Sequence, residues 1–220
     1  MTKELDRSEP PDINEKLAAA LESRGTSSKH LLDGRRLRTE RGRALVVDTT
    51  LAMVDAGLIP TNAEIAAECG LSERTIFRYF PDREALMAAL AAEIFPRIAH
   101  CLVVDPPDTD LRERVADLVQ LRIELVAISR PFARAVEIQA PNSHLAATLL
   151  DLRQEQLRLQ IRNWFADALV NHRPAEIGVV DMLLSSESIG QQRTEFDDKE
   201  LVDALTRALI LLLDPPIPSS

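Results

Sequence analysis

The chain has 220 residues, 45% of them hydrophobic, and a formal charge of −9; this is enough apolar material for a core that needs no disulfide or metal. Two cysteines are too few for a secreted disulfide framework, and no run of about 18 uncharged apolar residues indicates a membrane span. The start also lacks the apolar segment of a signal peptide, so we expect a cytoplasmic protein. We also expect no cofactor.

The charge is unevenly distributed along the chain. Residues 97–220 carry 13 basic and 19 acidic side chains, whereas residues 29–43 carry 6 basic and 2 acidic ones. A basic segment on an acidic protein is most often a solvated surface, but beside a nucleic-acid reader it favours phosphate binding. The segments that follow residues 29–43 decide between these two interpretations.

The first 96 residues predict a set of short helices. Residues 1–34 read as a mobile extension with one short helix around Ile13 to Leu21. Apolar spacing and caps then predict helices from about Thr39 to before Gly57, over a short segment that closes at Gly70, from Glu73 to Tyr79 and from Arg83 to about Phe95.

The second half predicts longer helices, after a boundary at Pro106 and Pro107. The predicted spans are Leu111 to Ser129, Pro131 to Gln139, Ser143 to Val170, Pro174 or Ala175 to about Arg193, and Asp198 to Leu213. We therefore expect an all-α protein. Its predicted parts are an extension (1–34), a helix-turn-helix domain (35–96), a larger helical domain (97–214) and a disordered tail (215–220).

The segment "CGLSERTIFRYFPDR" (residues 69–83) has the features of a helix-turn-helix. Such a motif needs a small residue where its helices cross, a residue that tolerates positive φ in the turn, and apolar residues that hold the pair on a core. Ala66 and Gly70 meet the first two needs. The predicted motif core is Ile65, Ala66, Cys69, Gly70, Leu71, Ser72, Ile76 and Phe80.

The remaining side chains of the second helix are expected to face outward or to flank the core. Arginine can bridge guanine edges, threonine and phenylalanine can touch thymine methyl groups, and a tyrosine hydroxyl can reach a phosphate. Exposed aromatics are costly unless they cover something. This set, which is Glu73, Arg74, Thr75, Phe77, Arg78 and Tyr79, therefore indicates a DNA-reading face. Packing of Tyr79 and a helix-start role for Thr75 are the structural alternatives.

The stretch from Pro60 to Leu90 resembles the N-terminal signature of the TetR family of transcriptional regulators. The matching residues are Thr61, Ile65, Ala66, Gly70, Ser72, Thr75, Tyr79, Phe80 and Leu86. The chain departs from the usual form at Cys69, Arg74, Phe77 and Arg83, and Arg74 is our candidate for a base-reading residue peculiar to this protein. The DNA-binding residues implied or predicted are Arg35, Arg36, Arg38, Arg41, Arg43, Thr61, Arg74, Thr75, Phe77, Arg78, Tyr79 and Arg83.

The resemblance implies a C-terminal domain that dimerises and holds a small-molecule pocket, joined to the DNA-binding domain by the fourth helix. Two dense apolar stripes near the C-terminus favour a two-fold interface, with an intrachain core as the alternative. The predicted interface residues are Leu183, Leu184, Ile189, Leu201, Leu205, Leu209 and Leu212. The candidate pocket residues are Phe95, His100, Phe132, His144, Gln160 and Trp164.

Enzymatic motifs are absent from the sequence. It has no phosphate-binding glycine loop, no metal-ligand spacing and no nucleophile elbow, so we predict no catalytic residue and no metal site. We expect a homodimeric repressor that a small apolar or amphipathic molecule releases from a palindromic operator. A protein-interaction module on the same fold and a transcriptional activator are the alternatives.

Overall fold

The computed structural model describes residues 33–170 and 172–214, and every regular element in these ranges is helical. The all-α prediction is confirmed. The helices are α1 (Asp33–Asp55), α2 (Asn62–Glu68), α3 (Glu73–Tyr79), α4 (Arg83–Ile98), α5 (Leu111–Gln139), α6 (His144–Trp164), α7 (Ala166–Leu169), α8 (Pro174–Leu183), α9 (Ser186–Gln192) and α10 (Asp198–Leu213), with 3-10 turns at Ala99–Leu102 and Ala140–Asn142. The predicted N-terminal helix, most of the extension and the tail lie outside the described residues.

Helices α1 to α4 form a small N-terminal unit, which we call the head. Its short helices begin at capping side chains: Ser72 accepts a hydrogen bond from the backbone of Thr75, and Asp82 accepts one from Ala85. The head has its own apolar core, to which every one of its helices contributes. The central side chains are Val46, Leu51, Ile65, Ile76, Phe80, Leu86 and Leu90.

Helices α5 to α10 form the larger C-terminal unit, which we call the body. Helix α5 runs through its centre and packs against α6, α9 and α10. The core of the body contains Leu118, Ile123, Trp164, Phe165, Val180, Leu184, Ile189 and Leu209. The predicted order of a small head before a larger helical domain is therefore confirmed.

Helix α5 continues through Pro131, where the sequence predicted a break. Proline removes one backbone hydrogen bond and usually costs about 3 kcal/mol inside a helix. Buried side chains on both sides of the proline, Val126 and Val136, hold the two halves in one line. Tertiary packing therefore outweighs the local cost.

Two other predicted helices are divided in the structure. The span predicted from Ser143 to Val170 ends at Trp164 and resumes as the short α7. The span predicted from Pro174 to Arg193 ends at Leu183, because Ser185 caps a new helix by accepting a hydrogen bond from the backbone of Ser188. Helix α1 begins at Asp33, earlier than the predicted Thr39.

Helix α4 connects head and body. With the following turn, residues 83–102 are long and apolar enough to pass a composition test for a membrane span. The apolar side chains are used in packing instead: Leu90 and Ile94 lie in the core of the head, and Met87 packs against Val136 and Ala146 of the body. This helix is consequently the shared wall of the two units.

Candidate nucleic-acid interface and effector cavity

The turn between α2 and α3 has the geometry that a helix-turn-helix needs. Gly70 has a φ of +64°, a conformation that glycine adopts without strain. The backbone N–H groups of Gly70 and Leu71 donate to the carbonyls of Ala67 and Ala66 at 3.2 and 2.8 Å, which is the Schellman pattern of a helix end. The turn therefore sets the direction of α3 through backbone bonds.

The predicted motif core lies where the sequence placed it. Ile65, Ala66, Ile76 and Phe80 are at most 3% exposed, and Cys69 and Leu71 pack against them at the edge. Ser72 caps α3 as described above. These side chains hold α3 on the head and leave its opposite face uncovered.

The uncovered face of α3 carries four exposed side chains: Glu73, Arg74, Phe77 and Arg78. Phe77 is 49% exposed, which is a high value for a phenylalanine on a well-packed domain. The guanidinium carbon of Arg78 lies 5.3 Å from the centre of the Tyr79 ring, so this aromatic ring supports the arginine from one side. We call these four residues the α3 face.

Tyr79 does not face outward, and that prediction is wrong. Its side chain is only 9% exposed and its ring lies against Gly42 of α1, where a Cβ atom would come within 2.6 Å of Cζ. The glycine allows α1 and α3 to approach each other with the ring between them. Gly42 is thus a residue that positions α3, and the sequence analysis missed it because its only signal is a glycine inside a helix.

Arg43 is bonded within the head. Its Nη1 donates to the carbonyl oxygen of Tyr79, and its guanidinium carbon lies 4.4 Å from the centre of the Phe80 ring. The residue was predicted to bind DNA as part of the basic segment. In the structure it holds the end of α3 in place, which is a positioning role.

The other basic-segment residues lie on α1. Arg38 and Arg41 are exposed. Arg35 and Arg36 belong to the first turns of α1, but their side chains lie outside the described residues. DNA contacts of all four remain predictions.

Both threonines of the motif take part in hydrogen bonds at helix starts. Thr61 and Glu64 form a capping box in which the Thr61 N–H donates to Glu64 Oε2 at 2.7 Å. This bond lowers the pKa of Glu64. The hydroxyl oxygens of Thr75 and Ser72 lie 3.0 Å apart at the start of α3. The helix-start role considered for Thr75 is therefore present.

Arg83 links the head to the body. Its Nε donates to Oε1 of Gln139 at 2.8 Å, and one terminal nitrogen donates to the carbonyl of Pro60 at 3.2 Å. The neighbouring Glu84 accepts a hydrogen bond from the Ser143 hydroxyl at 3.1 Å. We call this set the junction. Arg83 was predicted to bind phosphate, whereas its guanidinium is occupied between the two units.

A cavity of about 110 Å³ lies between α4, α5 and α6. Its walls are largely aliphatic and aromatic, and they include the two predicted pocket residues Phe95 and Phe132. The other predicted pocket residues do not line this cavity. Gln160 and Trp164 are buried behind it, where both donate to the carbonyl of Val103 at 2.8 and 3.1 Å, and His144 is exposed at the start of α6.

His100 lies outside the cavity beside a buried thiol. Its Nε2 is 2.9 Å from Oε1 of Glu124 and 3.3 Å from Sγ of Cys101. These three donor atoms lie within 4.8 Å of one another, a grouping that the scattered histidines of the sequence did not suggest. Burial and the nearby Glu124 carboxylate raise the pKa of Cys101 to about 11, so the thiol stays protonated at neutral pH.

Four of the seven residues predicted for a dimer interface belong to the core of the body. Leu184, Ile189, Leu201 and Leu209 are at most 4% exposed within a single chain, so the prediction for them is wrong. Their stripes face α5, which the alternative of an intrachain core anticipated. Leu183, Leu205 and Leu212 are half-buried and stay candidates.

Comparisons with known proteins identify the head. Residues 61–90 match the family model of bacterial regulatory proteins of the tetR family. The head is therefore similar to the N-terminal segment of tetR-family regulatory proteins. A TetR-family transcriptional regulator from Streptomyces coelicolor has the same fold, with 20% sequence identity, a TM-score of 0.59, and coverage of 79% of this chain and 80% of that chain.

Two curated relatives of this chain are both named nucleoid occlusion factor SlmA. The protein from Mannheimia succiniciproducens is 30% identical over 95 residues, which cover 41% of this chain and 43% of that protein. The one from Pasteurella multocida is 33% identical over 95 residues and is covered to 46%. The match thus spans less than half the length of either relative. The family model and the geometry of the turn agree on a helix-turn-helix in the head.

Proposed function

We propose that the protein is a homodimeric transcriptional regulator that binds palindromic operator DNA in the cytoplasm and is released by a small amphipathic molecule. The observation that carries the proposal is the α3 face, which presents Arg74, Phe77 and Arg78 uncovered on a helix held firmly from behind. Arginine side chains at base edges and phosphates supply both specificity and affinity. In this proposal the protein acts as a repressor, because the dimer bound at its own promoter blocks transcription.

The proposal includes a dimer formed by α8 and α10. Val179 and Met182 on α8 and Leu211 on α10 are 38%, 59% and 63% exposed, and the two helices contact each other. Together these side chains form an apolar surface on the solvent side of the helices whose other side packs in the core. A second copy of the chain would cover this surface around a two-fold axis.

Two DNA-binding heads are needed because one helix-turn-helix contacts too few base pairs to select a site. A two-fold dimer reads two half-sites one or more helical turns apart. The sequence of the operator is therefore expected to be an inverted repeat. Half-site spacing follows from the distance between the two α3 helices in the dimer.

Release of DNA requires a path from the cavity to α3. Phe132 lines the cavity and also packs against the core of the head. At the start of α4 the junction adds two hydrogen bonds with the body, one donated by Arg83 and one accepted by Glu84. A molecule that displaces Phe132 would thereby change the orientation of α4. It can lower DNA affinity only to the extent that it binds the altered orientation more tightly.

The test of the proposal is binding of the full-length protein to DNA from upstream of its own coding sequence. Fluorescence anisotropy should show saturable binding to a fragment that contains an inverted repeat, and sedimentation should give two chains per fragment. Affinity should fall steeply with salt, since phosphate contacts release counterions. Equal affinity for the fragment and for a scrambled duplex of the same composition would contradict the proposal.

A protein-interaction module is the competing function. It predicts no salt-dependent preference for any duplex, so the same titration separates the two. An activator role predicts the same binding but a lower promoter output when the gene is deleted. A reporter gene fused to the upstream fragment shows directly whether deletion of the gene raises or lowers promoter output.

A further inference from the structure

The effector cavity has a polar end. Most of its lining is apolar, with Ile94 and Phe95 from α4 and Leu125 from α5 among the contributors, but Ser129, Arg153 and Gln156 also reach it. The Ser129 hydroxyl donates to the carbonyl of Leu125, and the Gln156 amide donates to the carbonyl of Leu102, both at 2.7 Å. Arg153 is therefore the polar group at this end with hydrogen-bonding capacity to spare.

Arg153 is half-buried and lacks a full set of hydrogen-bond partners. One terminal nitrogen donates to the hydroxyl of Ser186, while its Nε has no hydrogen-bond partner. Within the part of the chain that the structure describes, no carboxylate forms an ion pair with it. Burial lowers the pKa of its guanidinium, and Glu137 and Glu187 oppose this effect from a distance.

A second buried arginine lies nearby. Arg122 is 1% exposed. One of its terminal nitrogens donates to the carbonyl of Leu157 at 2.7 Å, but its Nε and its other terminal nitrogen have no partner. Burial lowers its pKa to about 10, and the positive charge of Arg153 adds to that effect. The largest opposing effect on this pKa comes from Asp181, whose carboxylate is paired with Arg158 at 3.1 Å.

Two positive groups thus lie close enough for their charges to interact, one buried and one half-buried, and three of their nitrogen atoms have no hydrogen-bond partner. Both stay charged at neutral pH, because a guanidinium keeps its proton in proteins. The lowered pKa of Arg122, about 10, is also well above 7. A buried charge without a counter-ion is strongly destabilising. The arrangement is electrostatically incomplete and would be completed by an anion.

The position of Arg153 shows from which side an anion would come. The residue lines the effector cavity and also a wider, open hollow of about 460 Å³ on the other side, and Ala133 lines both. The hollow contains Arg130 and Arg134 as well as the two glutamates. Arg153 therefore stands at the boundary between an apolar cavity and a polar entrance.

We propose that the effector is an amphipathic monocarboxylate, with its aliphatic chain in the cavity and its carboxylate bound by Arg153. The regulatory part of this inference rests on the proposed function, whereas the binding site does not. A carboxylate can accept hydrogen bonds from Nε and from a terminal nitrogen of one guanidinium together. The positive charge of Arg122, which lies near Arg153, adds to the attraction of the carboxylate.

The first test compares ligands on the unaltered full-length protein. Isothermal titration calorimetry is run with sodium octanoate, 1-octanol and octylamine, which share a chain and differ in the head group. We expect octanoate to bind at least tenfold more tightly than octanol and octylamine to bind weakest. Octanol binding as tightly as octanoate, or no binding of octanoate, would overturn the proposal.

The second test replaces the anchor. Arg153→Met keeps the length of the side chain and removes its charge, and Arg134→Met is the matched control because Arg134 is exposed in the same hollow. We expect Arg153→Met to weaken octanoate binding about 10- to 100-fold, in line with a charged hydrogen bond, and to leave octanol binding unchanged. The thermal midpoint of this variant should equal or exceed that of the parent, since a half-buried charge without an ion pair is lost. Octanoate affinity that is unchanged in a folded Arg153→Met would contradict the site.

The two proposals fail in different ways. Octanoate that binds through Arg153 but leaves operator binding unaffected would uphold the anion site and contradict the effector role. Release of DNA by octanol alone would uphold ligand-controlled regulation and overturn the carboxylate site. Both outcomes are measured by adding octanoate or octanol to the protein–operator complex and following the release of DNA by fluorescence anisotropy.

Discussion

Nε of Arg83 and Oε1 of Gln139 lie 2.8 Å apart and join the first turn of α4 to the last residue of α5. The bond connects the helix that leaves the DNA-binding head with the helix that forms the centre of the body. The same α5 carries Phe132, which lines the cavity. Head orientation and cavity shape are therefore connected through one pair of helices.

Replacement of Gln139 by alanine should weaken this connection. We expect a loss of about 0.5–1.5 kcal/mol in unfolding free energy, the usual value for one hydrogen bond. Operator affinity should fall at least threefold because the heads are held less firmly. Anisotropy titrations check the affinity, and Arg193→Ala is the control since it removes a surface pair with Asp198 at 2.7 Å far from the junction. Equal DNA affinities of the two variants would argue against a role of the junction.

Replacement of Gly42 by alanine should displace Tyr79 and with it α3. The new Cβ atom would lie within 2.6 Å of Cζ of the ring, and overpacking of this kind costs about 1–3 kcal/mol. We expect a lower thermal midpoint and weaker operator binding. Because the hydroxyl is the part of the ring closest to Gly42, the further change Tyr79→Phe should recover part of both losses. Additive effects of the two changes would show that the residues do not interact.

Replacement of Leu211 by aspartate should dissociate the dimer. A charged group on the proposed interface would lose its hydration when the copies associate. Light scattering after gel filtration should give the mass of one chain, against two for the parent. Leu58→Asp is the control, since Leu58 is 52% exposed in the head, away from α8 and α10. A dimer that withstands Leu211→Asp would place the interface elsewhere.

The thiol of Cys101 should make stability depend on pH in the alkaline range. Its pKa is raised in the folded protein from an ordinary value of 9.0 to about 11. The stabilisation is therefore complete below pH 9 and is lost as the pH rises toward 11, because the unfolded chain gives up the proton first. Denaturant unfolding at several pH values should show this decline, and Cys101→Ala should reduce its slope. An identical slope in the variant would contradict the assignment.

Much of the head could be predicted from its sequence because its signals are local. Ser72, Asp82 and Gly70 act within one turn of their own position, so spacing and residue type were sufficient to place α3 and the start of α4. The outward direction of Tyr79 was wrong for a different reason. It depends on Gly42, which is 37 positions away in the sequence and in contact only after folding.

The body was harder to predict because its helices pack on several sides. The leucines of α10 form a clear stripe, but a stripe does not say whether its partner is α5 of the same chain or a second copy. In the structure the partner of Leu201 and Leu209 is the same chain, which buries both side chains. Likewise, no sequence pattern marks Arg122 or Arg153, because their charges become unusual only when folding buries Arg122 and partly buries Arg153.

The central claim is that the α3 face binds operator DNA, and the most direct measurement is the salt dependence of that binding. The double change Arg74→Ala, Arg78→Ala is compared with Arg112→Ala, Arg162→Ala, which removes the same charge from exposed positions of the body. We predict that the α3 variant loses roughly 1–3 kcal/mol per arginine and that its salt slope falls by about one for each lost phosphate contact. The body variant should bind like the parent. Equal affinities and slopes for the two variants would contradict the assignment of the α3 face to DNA.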